Sequence, residues 1–403
     1  MVRDLATRVA EIAALPVHKQ KAELWRRLNR LDPVRPMVML QNGAWNETLD
    51  DSAAQCSEAF YRDEELRLRR LIYQWDHMPG DMVVENIIYC PLAVRDSGWG
   101  VEINAVRPDH YFGAAHYEPV ITSEEDCERI QLPRVEVDRP ESERLFQRHC
   151  ELYDGILKVI QRGQCGFWFS IFDIFIQWRG LGQAFTDLID RPGWVHRVLE
   201  RMTQNMLVRL ESLEQQNALG LNNDNVGVGP GGLGFTDELP QPDFDGSHVR
   251  AKDLWGHATT QIFADVSPDM HEEFALQYES RFLHRFGLAG YGCCEPLHRK
   301  VGIIKKHIWN LRRISMSPWV NVEAGAAAVG SDLIFSYKPN PAVMAGDNWD
   351  LAVVKADLCS VLDKTRGCAV EIIMKDLHTC CNQPQRMWDW TRIALEVAEE
   401  YAR

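Results

Sequence analysis

The chain has 403 residues, of which 45% are hydrophobic and 25% charged, a composition typical of globular proteins and not of disordered, collagen-like or coiled-coil ones. Lysine and arginine number 44 against 58 aspartate and glutamate residues, so the net charge is −14. Because this charge repels phosphate backbones and anionic membranes, we expect no nucleic-acid or membrane partner. No window approaches the ~20 apolar residues of a membrane span and no signal peptide is evident, which predicts a soluble, cytoplasmic protein.

In the first half of the chain the predicted elements are irregularly spaced. The first ~30 residues have the pattern of a helix, and residues 36–40 that of a short buried strand. Helical periodicity continues over 51–78, and a β-rich stretch over 80–120 is interpreted as an insertion. A helix is predicted over 139–162, opened by an Asp-Arg-Pro-Glu sequence.

From residue 167 onward, short apolar strands alternate with helices. Strands are predicted at 167–172, 219–228, 259–264, 288–292, 312–316, 332–337 and 369–374. The predicted helices cover 180–189, 192–216, 297–306, 322–328, 348–365 and 383–402, with a further helix start at 267. This alternation is typical of parallel βαβ units.

Two folds accommodate such a run of units, a (β/α)₈ TIM barrel and an open doubly wound sheet. No G-x-G-x-x-G follows the first strand and no Walker-type phosphate loop is present, which favours the barrel. We therefore predict one barrel domain over residues 1–403, with an N-terminal helical segment over 1–35.

The eleven cysteines are odd in number and spread over a long chain, which indicates reduced thiols and not a disulfide framework. Seven of them are expected to be small buried hydrophobic residues. The other four form two adjacent pairs, Cys293-Cys294 and Cys380-Cys381, each at the end of a predicted strand.

Barrel proteins carry their chemistry at the carboxyl ends of the strands. Thiolates from two strand ends, with imidazole and carboxylate nearby in sequence, suit Zn²⁺, so the two pairs are candidates for a metal site. The alternative is that these thiols are reactive groups or buried hydrophobic residues. The side chains expected to bind substrate at the strand ends are Trp45, Asn223, Trp178, Tyr291, Trp319 and Lys338.

Three charged residues are candidates for catalysis. Glu47 follows the first strand, where it serves as a general acid or ligand or is a solvated loop carboxylate. Arg179 either clamps an anionic ligand or pairs with a nearby aspartate, Asp173 or Asp187. Glu295, directly after the first cysteine pair, is an acid, base or ligand candidate.

Several stretches between residues 140 and 400 resemble the uroporphyrinogen decarboxylase superfamily, specifically its branch related to corrinoid-dependent methyltransferases. The resemblance implies a (β/α)₈ barrel. The stretches that carry it are Gln177-Trp-Arg-Gly180, Asp187-Leu-Ile-Asp-Arg-Pro192, residues 232–240, 286–298 and 310–319, and Lys338-Pro-Asn-Pro341.

Methyltransferases of this branch bind zinc through a His-x-Cys at one strand end and a cysteine at a later one. In this chain the two positions fall at Tyr291-Gly292-Cys293 and near Cys380, so that a tyrosine replaces the histidine. Cys294, Glu295 or His378 is the implied substitute, and the metal ligands expected from the resemblance are Cys293, Cys294, Cys380 and His378. The resemblance thus implies a zinc-dependent homodimer that moves methyl from a small O- or N-methyl substrate to the corrinoid of a partner protein, which then carries it as methylcorrinoid.

Two other functions stay open. A uroporphyrinogen decarboxylase-like lyase without metal would act through aspartate and arginine, but the arginine-rich motif of the decarboxylases is missing from residues 36–45. A non-catalytic binding subunit is the other alternative, and Tyr291 in place of histidine is the feature that favours it.

Overall fold

The computed structural model describes residues 1–107 and 115–402. Within these ranges the strands are β1 (Met37–Asn42), β2 (Ile87–Pro91), β3 (Val94–Asp96), β4 (Asn104–Val106), β5 (His116–Glu118), β6 (Val135–Val137), β7 (Lys158–Arg162), β8 (Trp255–Ala258), β9 (Leu288–Tyr291), β10 (Leu311–Met316), β11 (Ile334–Tyr337) and β12 (Ala369–Leu377).

The helices of the described ranges lie mainly between these strands in sequence. They are α1 (Val2–Ala13), α2 (Val17–Asn29), α3 (Trp45–Thr48), α4 (Ala59–His77), α5 (Arg139–Tyr153), α6 (Ile171–Arg179), α7 (Leu181–Asp190), α8 (Pro192–Gln215), α9 (Pro268–His271), α10 (Gln277–Leu283), α11 (Val301–His307), α12 (Val322–Val329), α13 (Ala342–Ala345), α14 (Leu351–Lys364) and α15 (Gln385–Glu400). A π-helical turn, Glu272–Leu276, joins α9 to α10.

The main sheet has six strands in the order β1-β12-β11-β10-β9-β8, all parallel. Its central strands are buried along almost their whole length, as in β12, where only Asp376 is exposed. Strands buried on both faces are near-continuous apolar runs, and this is why β12 is so readily recognised in the sequence. The predicted α/β class and parallel βα alternation are confirmed.

A second parallel ladder pairs β2 with β7, and the chain on either side of it contacts the two edges of the main sheet. The chain after β7 reaches β8 through a parallel bridge from Phe169 to Ala258. At the other edge, the Asp81 amide donates to the Val38 carbonyl of β1 at 2.7 Å. Eight parallel strands therefore lie in ladders of six and two, and the described residues form no continuous closed eight-stranded ladder.

A buried ion pair stabilises the contact between β1 and the chain before β2. The two guanidinium nitrogens of Arg35 donate to the carboxylate of Asp81 at 2.9 and 2.7 Å, and the Val38 amide donates to the same carboxylate at 2.7 Å. The indole of Trp25 donates to the Asp81 carbonyl at 2.9 Å. One aspartate thus ties α2, β1 and the chain before β2 together.

Two predicted elements end elsewhere than expected. The helix predicted over 139–162 stops at Tyr153, and residues 158–162 form β7. Gly155 has φ +72°, a left-handed conformation that ends a helix and that glycine adopts without strain. In the strand predicted over 167–172 only Phe169 pairs, because α6 begins at Ile171.

Two further predicted strands are replaced by loop. Over 219–228 only Leu219 and Gly227 make isolated bridges, and the strand expected at 259–264 lies earlier, as β8. Short apolar runs do not distinguish a strand from a buried loop or helix start, which explains these errors.

The stretch interpreted as an insertion, 80–120, contains β2 of the parallel ladder and three strands of small antiparallel sheets. β3 pairs with β6 and β4 pairs with β5. Residues 108–114 of that stretch and residue 403 lie outside the described residues, and the single-domain interpretation stays a prediction. None of the helices in the described ranges is long and apolar enough to cross a membrane.

Candidate active site

A cavity of about 210 Å³ opens where the carboxyl ends of β9, β10, β11 and β12 converge. Its walls combine two thiols, two lysines and a carboxylate with proline and tryptophan side chains. The lining residues are Cys293, Cys294, Pro318, Trp319, Lys338, Pro339, Asn340, Pro341, Lys375 and Asp376.

The first cysteine pair lies against a lysine from the neighbouring end of β12. The two Sγ atoms of Cys293 and Cys294 are 3.4 Å apart, and the Lys375 ammonium lies 3.5 and 3.2 Å from them. Lys375 also donates to the carboxylate of Asp376, which lies 3.5 Å from the Cys294 sulfur. Cys293 is buried whereas Cys294 is exposed.

These contacts shift the pKa values of the two thiols in opposite directions. The hydrogen bond from Cys293 and the charge of Lys375 lower the pKa of Cys294 in spite of its partial burial. The same hydrogen bond, together with burial, raises the pKa of Cys293. Burial opposes the charge of Lys375, but Asp376 and the two sulfurs outweigh it and raise the pKa of the lysine. The Lys375 ammonium beside the Cys294 sulfur thus favours the thiolate form of Cys294.

Glu295 fixes the loop that carries the thiols. Its carboxylate accepts from the Cys293 amide at 2.8 Å and from the Thr259 hydroxyl at 2.9 Å. The Ser315 hydroxyl donates to the Cys293 carbonyl at 3.0 Å. Gly292 turns the chain with φ +88°, and a Cβ there would lie 2.4 Å from Leu297 Cδ1, so only glycine fits this turn.

Lys338 lies at the inner wall of the cavity and is almost fully buried. Its ammonium donates to the carbonyl of Ser336 at 3.2 Å and to the hydroxyl of the same residue. Ser336 in turn donates to Glu371, which faces Arg313 at 3.3 Å. Burial lowers the pKa of Lys338 to about 7, so that it can give and take a proton near neutral pH.

A separate cluster surrounds the second cysteine pair. The Glu47 carboxylate accepts from the Cys380 amide at 2.8 Å, from the Asn382 amide at 2.9 Å and from the Cys380 thiol at 3.1 Å. Burial opposes ionisation of Glu47, but hydrogen bonds from Thr379 and the other donors lower its pKa. Burial and the same carboxylate raise the pKa of Cys380 to about 11. Glu47 thus serves as the anchor of this loop.

The donors of the predicted zinc site are divided between these two clusters. No hydrogen bond of the described residues joins Cys380 to Cys293 or Cys294, and in the same ranges no three His, Cys, Asp or Glu side chains are grouped to hold a metal ion. The Lys375 ammonium moreover lies against both sulfurs of the first pair, at 3.5 and 3.2 Å. Zinc binding therefore stays a prediction, and we derive no step through a metal.

Two of the other predicted site residues, Arg179 and Tyr291, are placed away from the cavity lining. Arg179 is buried and pairs with Asp187 at 2.7 Å, the structural alternative considered above. Tyr291 is fully buried, and its hydroxyl contacts Glu279 and His271, each at 2.6 Å.

The remaining predicted residues have these surroundings. Asn223 lines a different cavity, of about 570 Å³, and its side-chain amide donates to the Leu239 carbonyl. Trp178 is buried in the core and Trp45 lies under the Arg70 guanidinium. His378 is exposed after β12.

The sequence interpretation did not select Lys375 or Asp376. Both stand at the end of the apolar run of β12, where charged residues are usually solvated strand ends. The available signal was their position at the carboxyl end of a buried parallel strand, where site residues concentrate.

Fold and site together define an α/β protein with a thiol and lysine pocket at the carboxyl ends of parallel strands. The chain matches no protein-family model and no curated protein sequence. Among solved structures it is similar to a methyltransferase from Methanosarcina mazei, with a TM-score of 0.52 and 12% sequence identity over 94% of this chain and 98% of that one. At this identity the likeness shows a shared fold.

Proposed function

We propose that this chain is an enzyme of methyl transfer that demethylates a small O- or N-methyl compound in the cavity at the carboxyl ends of β9 to β12. The observation that carries the proposal is the Cys294 sulfur, 3.2 Å from the Lys375 ammonium, in one cavity with the buried Lys338. The fold shared with a protein named as a methyltransferase supports it.

The two kinds of group have complementary tasks in such a reaction. The Cys294 thiolate attacks the methyl carbon, so that a carbon–sulfur bond forms while the carbon–oxygen or carbon–nitrogen bond breaks and its electron pair leaves on the heteroatom. Lys338 donates the proton that this leaving atom needs. Lys375 holds Cys294 ionised before the attack, and Glu295 positions the loop through the Cys293 amide.

The finer parts of the proposal come from the family resemblance. A corrinoid on a partner protein would supply the final methyl acceptor, to which Cys294 passes the group and is thereby regenerated. A homodimer is proposed on the same basis. Zinc stays a prediction, and elemental analysis of the wild type and of a Cys293→Ser, Cys380→Ser variant tests it.

A methyl-transfer assay tests the proposed function. The purified protein is incubated with cob(I)alamin and a panel of methoxylated aromatic compounds, methylamines and betaines, and methylcobalamin is measured by absorbance. We expect one donor class to react, and Lys338→Met to lower the rate at least tenfold. Lys305→Met, which removes an exposed lysine paired with Asp332, should leave the rate unchanged. A folded wild type inactive toward every donor would contradict the proposal.

The two lysines also favour a second candidate, a metal-free decarboxylase. Ammonium groups at Lys338 and Lys375 would bind a substrate carboxylate and stabilise the charge that develops as carbon dioxide leaves. Release of carbon dioxide from a carboxylated substrate in the presence of a chelator, without methyl transfer, would identify this activity instead.

A further inference from the structure

The two adjacent cysteine pairs provide a comparison within one chain. In the first pair the sulfur atoms of Cys293 and Cys294 face each other at 3.4 Å. In the second pair they point to different partners, since Cys380 donates to Glu47 and Cys381 to the Ala345 carbonyl. Only the first pair has both sulfurs in mutual contact.

The first pair also meets the other requirements of a reactive dithiol. Cys294 is exposed, which gives an oxidant access, while Cys293 is buried directly beside it. The Lys375 ammonium contacts both sulfurs, and a cation at this distance favours the nucleophilic form of a thiol. The attacking and the resolving sulfur of a peroxide-sensitive site are thus already in place.

From this geometry we propose that Cys293 and Cys294 form a site of reversible oxidation, at which a hydroperoxide converts the pair into a vicinal disulfide. The Cys294 sulfur attacks the peroxide oxygen, the O–O bond breaks, and a sulfenic acid and an alcohol or water result. The Cys293 sulfur then attacks the sulfenic sulfur, an S–S bond forms and water leaves. Two thiols are oxidised and one peroxide is reduced.

The disulfide would be easily reversed. Consecutive residues have Cα atoms about 3.8 Å apart across a trans peptide, less than the roughly 4.4–6.8 Å at which disulfides are unstrained. Strained, exposed disulfides are the ones that a dithiol reduces readily and that serve regulation. Oxidation would consume the cavity's nucleophile, so the pair would act as an oxidative off-switch, a consequence that rests on the proposed function.

Mass spectrometry of the wild-type protein tests the site directly. Trypsin separates the pairs, because residues 286–299 contain only Cys293 and Cys294 and residues 376–386 only Cys380 and Cys381. After a limiting dose of hydrogen peroxide and alkylation of the remaining thiols, we expect peptide 286–299 to lose about 2 Da without taking up label. Its thiols should disappear at least tenfold faster than those of peptide 376–386, and dithiothreitol should restore them.

Variants and activity separate this proposal from the proposed function. Cys294→Ser should leave Cys293 open to alkylation, whereas Cys381→Ser should not affect oxidation of the first pair. The proposal is overturned if both peptides react at the same rate, or if Cys294 goes to sulfinic acid without a disulfide. Disulfide formation in a protein without methyl transfer would refute only the proposed function, and methyl transfer that persists in the fully oxidised protein would refute the switch.

Discussion

At the scale of single residues, two neighbours lower the pKa of the Cys294 thiol. One is the buried Cys293, adjacent in sequence, and the other is Lys375, which is distant in sequence. The Cys293 thiol donates to the Cys294 sulfur, and Lys375, at the end of β12, lies 3.2 Å away. The importance of the cysteine pair could be predicted from its position at a strand end. The identity of its cation could not, because it depends on how two loops meet and not on sequence spacing.

Replacement of Lys375 tests this electrostatic argument. In Lys375→Met the pKa of Cys294 should rise, because the nearby positive charge is lost. A rise of one pKa unit lowers the thiolate fraction about tenfold below the pKa, and alkylation of Cys294 by iodoacetamide at pH 7 should slow accordingly. Lys305→Met is the matched control. An unchanged alkylation rate in Lys375→Met would contradict the argument.

A second residue-scale effect concerns Glu279, which is buried against Tyr291, Thr260 and the charged groups near them. Burial raises the pKa of Glu279 from 4.5 to about 8, while hydrogen bonds from Tyr291 and Thr260 oppose this shift. The folded protein therefore keeps this proton up to about pH 8, whereas the unfolded chain loses it near pH 4.5. The contribution of Glu279 to the free energy of unfolding is therefore fully present below pH 4.5 and is lost as the pH rises to about 8.

Glu279→Gln makes this effect measurable by urea unfolding between pH 5 and 8. The unfolding free energy of the wild type should fall relative to that of the variant as the pH rises, with a slope of at most about 1.4 kcal/mol per pH unit. Glu396→Gln, at an exposed position, is the control. If the difference in unfolding free energy between the wild type and Glu279→Gln does not change with pH, Glu279 is ionised over the whole range and the argument is wrong.

At the scale of elements, the strands buried on both faces were the ones that the sequence predicted well. β12 and β10 are long apolar runs between helices, and their bounds differ from the predicted ones by at most three residues. β7 was missed because it follows α5 after only a short turn at Gly155 and contains only exposed and half-buried residues. The contact between β1 and the chain before β2 depends on Asp81, and hydrophobic periodicity does not reveal such a contact.

Asp81→Asn tests whether that contact holds the two ladders together. The substitution removes the charge that neutralises Arg35, whose side chain is 12% exposed, and an uncompensated buried charge costs about 3–5 kcal/mol. We expect a loss of this order in the unfolding free energy measured with urea. Asp76→Asn, an exposed aspartate 3.8 Å from Arg8, should change stability little. If Asp81→Asn lowers the free energy of unfolding by less than about 1 kcal/mol, the Arg35–Asp81 ion pair does not hold the two ladders together.

At the scale of the whole molecule, the parallel α/β architecture brings the ends of four strands to one small cavity. The sequence located the strand ends that carry Cys293 and Cys380, and it placed both pairs in one expected metal site. In the structure the two pairs have different partners, since Cys380 donates to Glu47 and Lys375 contacts the first pair. Spacing along the chain does not determine which way the side chains of neighbouring loops turn.

The most direct test of the central claim compares methyl transfer to cob(I)alamin by the wild type, Cys294→Ser and Cys381→Ser, with the donor that the panel identifies. Both substitutions replace a cysteine of an adjacent pair, but only Cys294 lines the cavity beside Lys375. We predict that Cys294→Ser lowers the rate at least a hundredfold, while Cys381→Ser keeps the wild-type rate. Equal rates in Cys294→Ser and the wild type would contradict the account.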